Sequence, residues 1–103
     1  MEQINKEKFD ELLKGDKPVV CDFFATWCGP CKMLAPVMEE VSKDFEDKAV
    51  FVKVDIDENM ELSARYGIMS IPLVVIFENG EIKAKSLGYT SREETREFLS
   101  NNL

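Results

Sequence analysis

The chain has 103 residues, too few for more than one ordinary domain, so a single domain over residues 1–103 is expected. Hydrophobic residues make up 45%, which excludes a disordered tail, and no apolar run approaches the ~20 residues of a membrane span. The net charge is −7 with no histidine, which argues against nucleic-acid or anionic-lipid partners and removes the usual general base and metal ligand.

The N-terminal segment "MEQINKEKFDELLKGDKP" is charged throughout and has no apolar h-region. With Met1 in place, a cytoplasmic chain without a secretory signal is expected. Within the segment, "EQI" offers an edge strand. A short amphipathic helix follows, capped by Asn5, with Phe9, Leu12 and Leu13 on one face and Gly15 at its end. "PVVCDFFA" is an apolar run typical of a strand buried on both faces. After "TWCGPCK" a second helix is expected to about Phe45. Leu34, Val37, Met38, Val41 and Phe45 form its buried stripe, and Pro36 predicts a kink inside it.

"AVFVKVDID" reads as a strand and "ENMELSARYG" as a short helix ending at Gly67. "PLVVIF" and "EIKAKSL" are strands joined by Asn79-Gly80, the pair that suits a two-residue type I′ hairpin. Ser91 with Glu94 is a capping box that opens a last helix through Phe98 and Leu99. The expected fold is α/β: a central mixed sheet of four to five strands flanked by about four helices.

All three cysteines fall in "CDFFATWCGPCK". Cys28 and Cys31 sit where strand gives way to helix, and a three-residue helical spacing brings their side chains together. Closing so short a loop contributes only about 2 kcal/mol, a poor structural staple. At the helix start, unpaired N–H groups and the helix dipole favour a Cys28 thiolate. Cys28 is then the attacker of a partner disulfide. Cys31, a turn further in and expected to be less exposed, resolves the mixed disulfide. Gly29 and Pro30 add no side chain that would stabilise the thiolate further, which tilts the pair toward reduction of its partners. Zinc is the rival reading. A structural zinc site usually takes four Cys or His ligands, and the chain has three Cys and no His, so no metal is expected.

Asp22 is the odd residue in its apolar strand. Burial should raise its pKa, and its position allows it to lie under Cys31, directly or through a water. A buried Asp bonded to a local donor is the plainer alternative. Cys21, one residue earlier, points to the opposite side of the sheet and reads as packing.

"DFFATWCGPCK" resembles the active-site segment of the thioredoxin family. "KVDIDEN", "YGIMSIP", "FENGE" and the Gly88 region follow in the family's order, so the resemblance covers essentially the whole chain. It implies a thioredoxin fold and protein-disulfide reduction. It also implies no bound cofactor, electrons from a separate thioredoxin reductase, disulfide-containing protein partners and a monomer. It implies that Asp22 takes the proton from Cys31 and that Lys53 tunes Asp22, beside the plainer reading of Lys53 as an exposed strand lysine. The matching proline of the family is cis and faces the dithiol, which gives Pro72 that role beside the plainer reading of a trans proline opening a strand.

By the same resemblance the Ile71 backbone pairs with an extended substrate segment. Trp27, Gly29, Pro30, Ile71 and Gly88 form a docking surface, which Met69 and Tyr89 would widen. Two positions depart from the family: Leu73 stands where Thr is usual, and Phe24 where many bacterial members carry Trp. Leu73 bears on partner preference. A specialised reductase serving one pathway and a binding subunit or folding aid with an idle dithiol remain as alternatives.

Overall fold

A five-stranded mixed sheet forms the centre of the computed structural model, which describes residues 1–103. In chain order the elements are β1 (Glu2–Gln3), α1 (Lys6–Leu13), β2 (Val19–Phe24), α2 (Gly29–Ser42), β3 (Val50–Asp55), α3 (Met60–Arg65), β4 (Leu73–Glu78), β5 (Glu81–Leu87) and α4 (Arg92–Asn102). The strands lie in the order β1-β3-β2-β4-β5. β1, β3 and β2 run parallel, while β4 is antiparallel to β2 and to β5. This is the expected architecture.

The period-2 alternation of the strands divides the core in two. Val19, Cys21, Phe23, Val52, Val54, Val75 and Phe77 pack with Phe9 of α1 and Leu62 of α3. Val20, Val74 and Ile76 pack on the other face against Leu34, Val37, Met38 and Val41 of α2 and Leu99 of α4. Each face is covered, so β2 and β4 are apolar almost throughout. Asp22 interrupts that pattern on the α2 face.

Local chemistry fixes the element ends. Asn5 Oδ1 accepts the Lys8 N–H at the start of α1. Ser91 Oγ accepts the Glu94 N–H while Glu94 accepts the Ser91 N–H, the reciprocal capping box. Asn79 and Gly80 both have positive φ, 54° and 78°, as a type I′ turn requires.

Three details differ from the sequence reading. The second helix stops at Ser42, not Phe45. There Asp44 N–H donates to Val41 O and Phe45 N–H to Ser42 O, tighter i→i−3 bonds that end the α-helix while keeping Phe45 in the core. The edge strand is only Glu2–Gln3, because Ile4 turns into the core. The β4–β5 ladder shifts register between Ile76 and Phe77, leaving Lys83 as the extra residue of a bulge.

Candidate active site

β2 ends at Phe24, and a short loop through Trp27 leads directly into α2. Cys28 N–H donates to Ala25 O at 3.2 Å, which tightens that turn. Cys28 is the N-cap of α2, with extended backbone (φ −89°, ψ 112°), and its Sγ accepts the Cys31 N–H at 3.2 Å. Pro30 falls in the first turn, where its missing N–H costs no helical bond. The sulfur of Cys28 therefore occupies the place where a helix start stabilises an anion.

Cys28 and Cys31 are joined by a disulfide, with Cα atoms 5.2 Å apart. The expected contrast in exposure is absent: Cys28 is 5% exposed and Cys31 4%. The two cysteines and Ala25 form a small buried cluster, covered by Phe24, Ile56 and Ile71. The covering residues come from the end of β2, the residue after β3 and the segment before β4, so their packing on this cluster is not visible as a local pattern.

The Ile71–Pro72 peptide is cis, and the Ile71 carbonyl oxygen lies 3.9 Å from Cys28 Sγ. Pro72 itself is buried, while Ile71 is half-buried. Pro72 O accepts the Gly88 N–H at 2.8 Å, which ties the end of β5 to this loop. Gly88 has φ +88°, a conformation that favours glycine, although a Cβ there would meet no atom within 4 Å. Gly29 and Pro30 are exposed beside the disulfide, and Met69 and Tyr89 are exposed near the same loop in sequence.

Asp22 is 3% exposed, and its Oδ1 has no hydrogen-bond partner. Burial raises its pKa to about 6, against a smaller downward pull from Lys53. A cleft of about 260 Å³ is lined by Asp22, Phe24, Thr26, Cys31, Lys32 and Lys53, among others, so carboxylate and second cysteine share one space. Lys53 is the direct partner of Asp22 in the β2–β3 register and is half-buried. Its Nζ lies over the Phe24 ring, 5.5 Å from the centroid.

Trp27 is 69% exposed and is held by one bond: its Nε1–H donates to an Asp57 carboxylate oxygen at 2.7 Å. Asp57 is set in turn by its own N–H, which donates to Oδ1 of the buried Asp55 at 2.9 Å. Nothing local to Trp27 in the sequence points to this pair. The signal was the two aspartates of "DIDEN" closing a strand, 30 residues from the tryptophan they serve. Cys21 lies on the opposite face, inside the α1–α3 core, and burial pushes its thiol pKa well up. No three Cys, His, Asp or Glu side chains come together in a way that could hold a metal ion.

The thioredoxin family model matches residues 1–101. The chain is 48% identical over 94 residues to a thioredoxin of Rickettsia bellii, covering 91% of this chain and 90% of that one. It is 47% identical over 95 residues to a thioredoxin of Mycoplasmoides gallisepticum, covering 92% of this chain and 94% of that one. A Bacillus subtilis thioredoxin is 45% identical over 85 residues, 82% of each chain. A cysteine pair built to be oxidised and reduced, in a chain so matched along its length, has one reading: the protein belongs to the thioredoxin family and is a disulfide reductase acting by thiol–disulfide exchange.

Proposed function

We propose that Cys28 attacks, Cys31 resolves and Asp22 takes the proton from Cys31. The observation that carries this division is the Cys31 N–H donated to Cys28 Sγ at the start of α2. That bond and the helix dipole favour negative charge on Cys28, while Cys31 has no such donor.

In the reduced protein the Cys28 thiolate attacks one sulfur of a partner disulfide. A Cys28–partner bond forms, and the other partner sulfur leaves as a thiolate. Asp22 takes the proton of Cys31, and the resulting thiolate attacks Cys28. The second partner sulfur leaves, Cys28 and Cys31 close their disulfide, and two electrons have passed to the partner. With a pKa of about 6, Asp22 is mostly ionised near neutral pH and still close enough to exchange protons readily. The cleft it shares with Cys31 is roomy enough for a bridging water.

Gly29 and Pro30 leave the thiolate without extra side-chain support, and Lys53 tunes Asp22. Trp27, Gly29, Pro30, Ile71 and Gly88 offer the docking surface, shaped by the buried Pro72. The Ile71 backbone lies close enough to Cys28 for a bound extended segment to reach both. The partners are disulfide-containing proteins, and a separate thioredoxin reductase returns the electrons, so the domain itself carries no cofactor. Residues 1–103 act as one domain and as a monomer. No helix is long and apolar enough to cross a membrane. The reading sets the protein in the cytoplasm, where a dithiol is kept reduced. Reduction of a protein disulfide, fed by NADPH and a thioredoxin reductase, tests the reading. Turnover lost in both Cys28→Ser and Cys31→Ser supports it, and turnover kept in Cys28→Ser contradicts it.

A further inference from the structure

Asp22 and Lys53 are cross-strand partners on the α2 face of the sheet, and both line the cleft beside Cys31. A carboxylate and an ammonium so placed are expected to pair. They do not: Asp22 Oδ1 is buried without a partner, and the Lys53 ammonium sits over the Phe24 ring instead. Phe24 follows Asp22 by two residues on β2, so it shares its face. The 5.5 Å separation is within the roughly 6 Å reach of cation–π attraction.

We propose that Phe24 is a positioning residue: its ring holds the Lys53 ammonium off Asp22 and so governs how readily Asp22 takes the Cys31 proton. The proposal rests on Asp22 as the base of the resolving step. Other groups near Asp22 do not replace Lys53. From α2 come Cys31 and the exposed Lys32, and the loop after β2 brings Thr26. β4 presents apolar Val74 as the antiparallel partner of Asp22. Asp55, further along β3, is occupied by the Asp57 N–H.

A leucine at position 24 fills apolar space but has no negative ring face to hold a cation. Lys53 is then released toward Asp22, and an adjacent positive charge favours the ionised carboxylate. Asp22 becomes a weaker base. Tryptophan, with the strongest ring face, keeps the ammonium in place.

The test is a carbon-13 NMR titration of the Asp22 carboxyl in wild type, Phe24→Leu, Phe24→Trp, Lys53→Met and the Phe24→Leu/Lys53→Met double variant. The pH profile of mixed-disulfide release is measured alongside. Phe24→Leu is expected to lower the Asp22 midpoint by about one pH unit and to move the release profile with it. Phe24→Trp is expected to leave the midpoint at or above that of wild type. In the Lys53→Met background, Phe24→Leu is expected to change nothing further. An unchanged midpoint in Phe24→Leu, or an equal drop with Met at position 53, overturns the proposal. If Phe24→Leu folds poorly, Phe24→Trp decides alone, and a lowered midpoint there overturns it. An Asp22→Asn protein with unaltered release rate and profile would instead remove Asp22 as the base, while the titration midpoints still decide whether the ring controls Lys53.

Discussion

Asp22 and Cys31 line one cleft of about 260 Å³, and Asp22 Oδ1 has no hydrogen-bond partner within it. A group so placed carries a stability cost. Its folded-state pKa of about 6 lies above the ordinary 3.8, so the folded protein binds the proton more tightly than the unfolded chain. The contribution of Asp22 to stability is therefore greatest below 3.8, falls as pH rises to about 6, and is constant above that. At about 1.4 kcal/mol per pH unit, the loss is roughly 3 kcal/mol. Asp22→Asn should be more stable than wild type by roughly 2–3 kcal/mol at about pH 8, with the gap closing near pH 4. Urea melts at the two pH values check this. A gap independent of pH would show that the ionised carboxylate is not its source.

The exposed Trp27 depends on Asp57 for its only hydrogen bond. Asp57→Ala should loosen the indole and raise KM for a protein disulfide by roughly 2- to 10-fold, as expected for losing about 0.5–1.5 kcal/mol. Because Asp57 touches neither sulfur of the disulfide, kcat should change much less. Steady-state kinetics with a protein substrate separate the two. A fall in kcat at unchanged KM would assign Asp57 to the chemistry instead.

Cys21 is packing, opposite the dithiol and held protonated by burial. Cys21→Val should keep full reductase activity, since a small apolar side chain fills the same space. Turnover of the purified variant measures this. A large loss would show that the thiol itself takes part.

The capping box at Ser91 serves the fold alone. Ser91→Ala removes the acceptor of the Glu94 N–H and should lower stability by about 1 kcal/mol without changing turnover. Thermal or urea unfolding reads the change.

What the sequence disclosed was whatever a local rule governs. Alternation along "VVCDFF" separates Cys21 from Asp22, because strand side chains change face at every residue. Asn79-Gly80 and Ser91 with Glu94 are short-range signals with one geometric solution each, and both occur as expected. Contacts made by distant segments stayed hidden. Asp57 meets Trp27 only because the loops after β2 and β3 emerge side by side from a parallel pair. Cys28 is as buried as Cys31 because both sit in a cluster against which Phe24, Ile56 and Ile71 pack, and no helical spacing reports that. The Lys53 ammonium was expected to tune Asp22, but its seat on Phe24 is a property of side-chain packing that strand register does not reveal.

In the proposed mechanism the two cysteines have different tasks, with Cys28 attacking and Cys31 resolving. The most direct measurement is capture of a protein disulfide by the single-serine variants, followed by non-reducing electrophoresis and mass mapping of the linked cysteine. Cys31→Ser should accumulate a stable mixed disulfide through Cys28, and Cys28→Ser should accumulate none. A stable adduct through Cys31 in the Cys28→Ser protein, formed as fast as the other, would contradict the account.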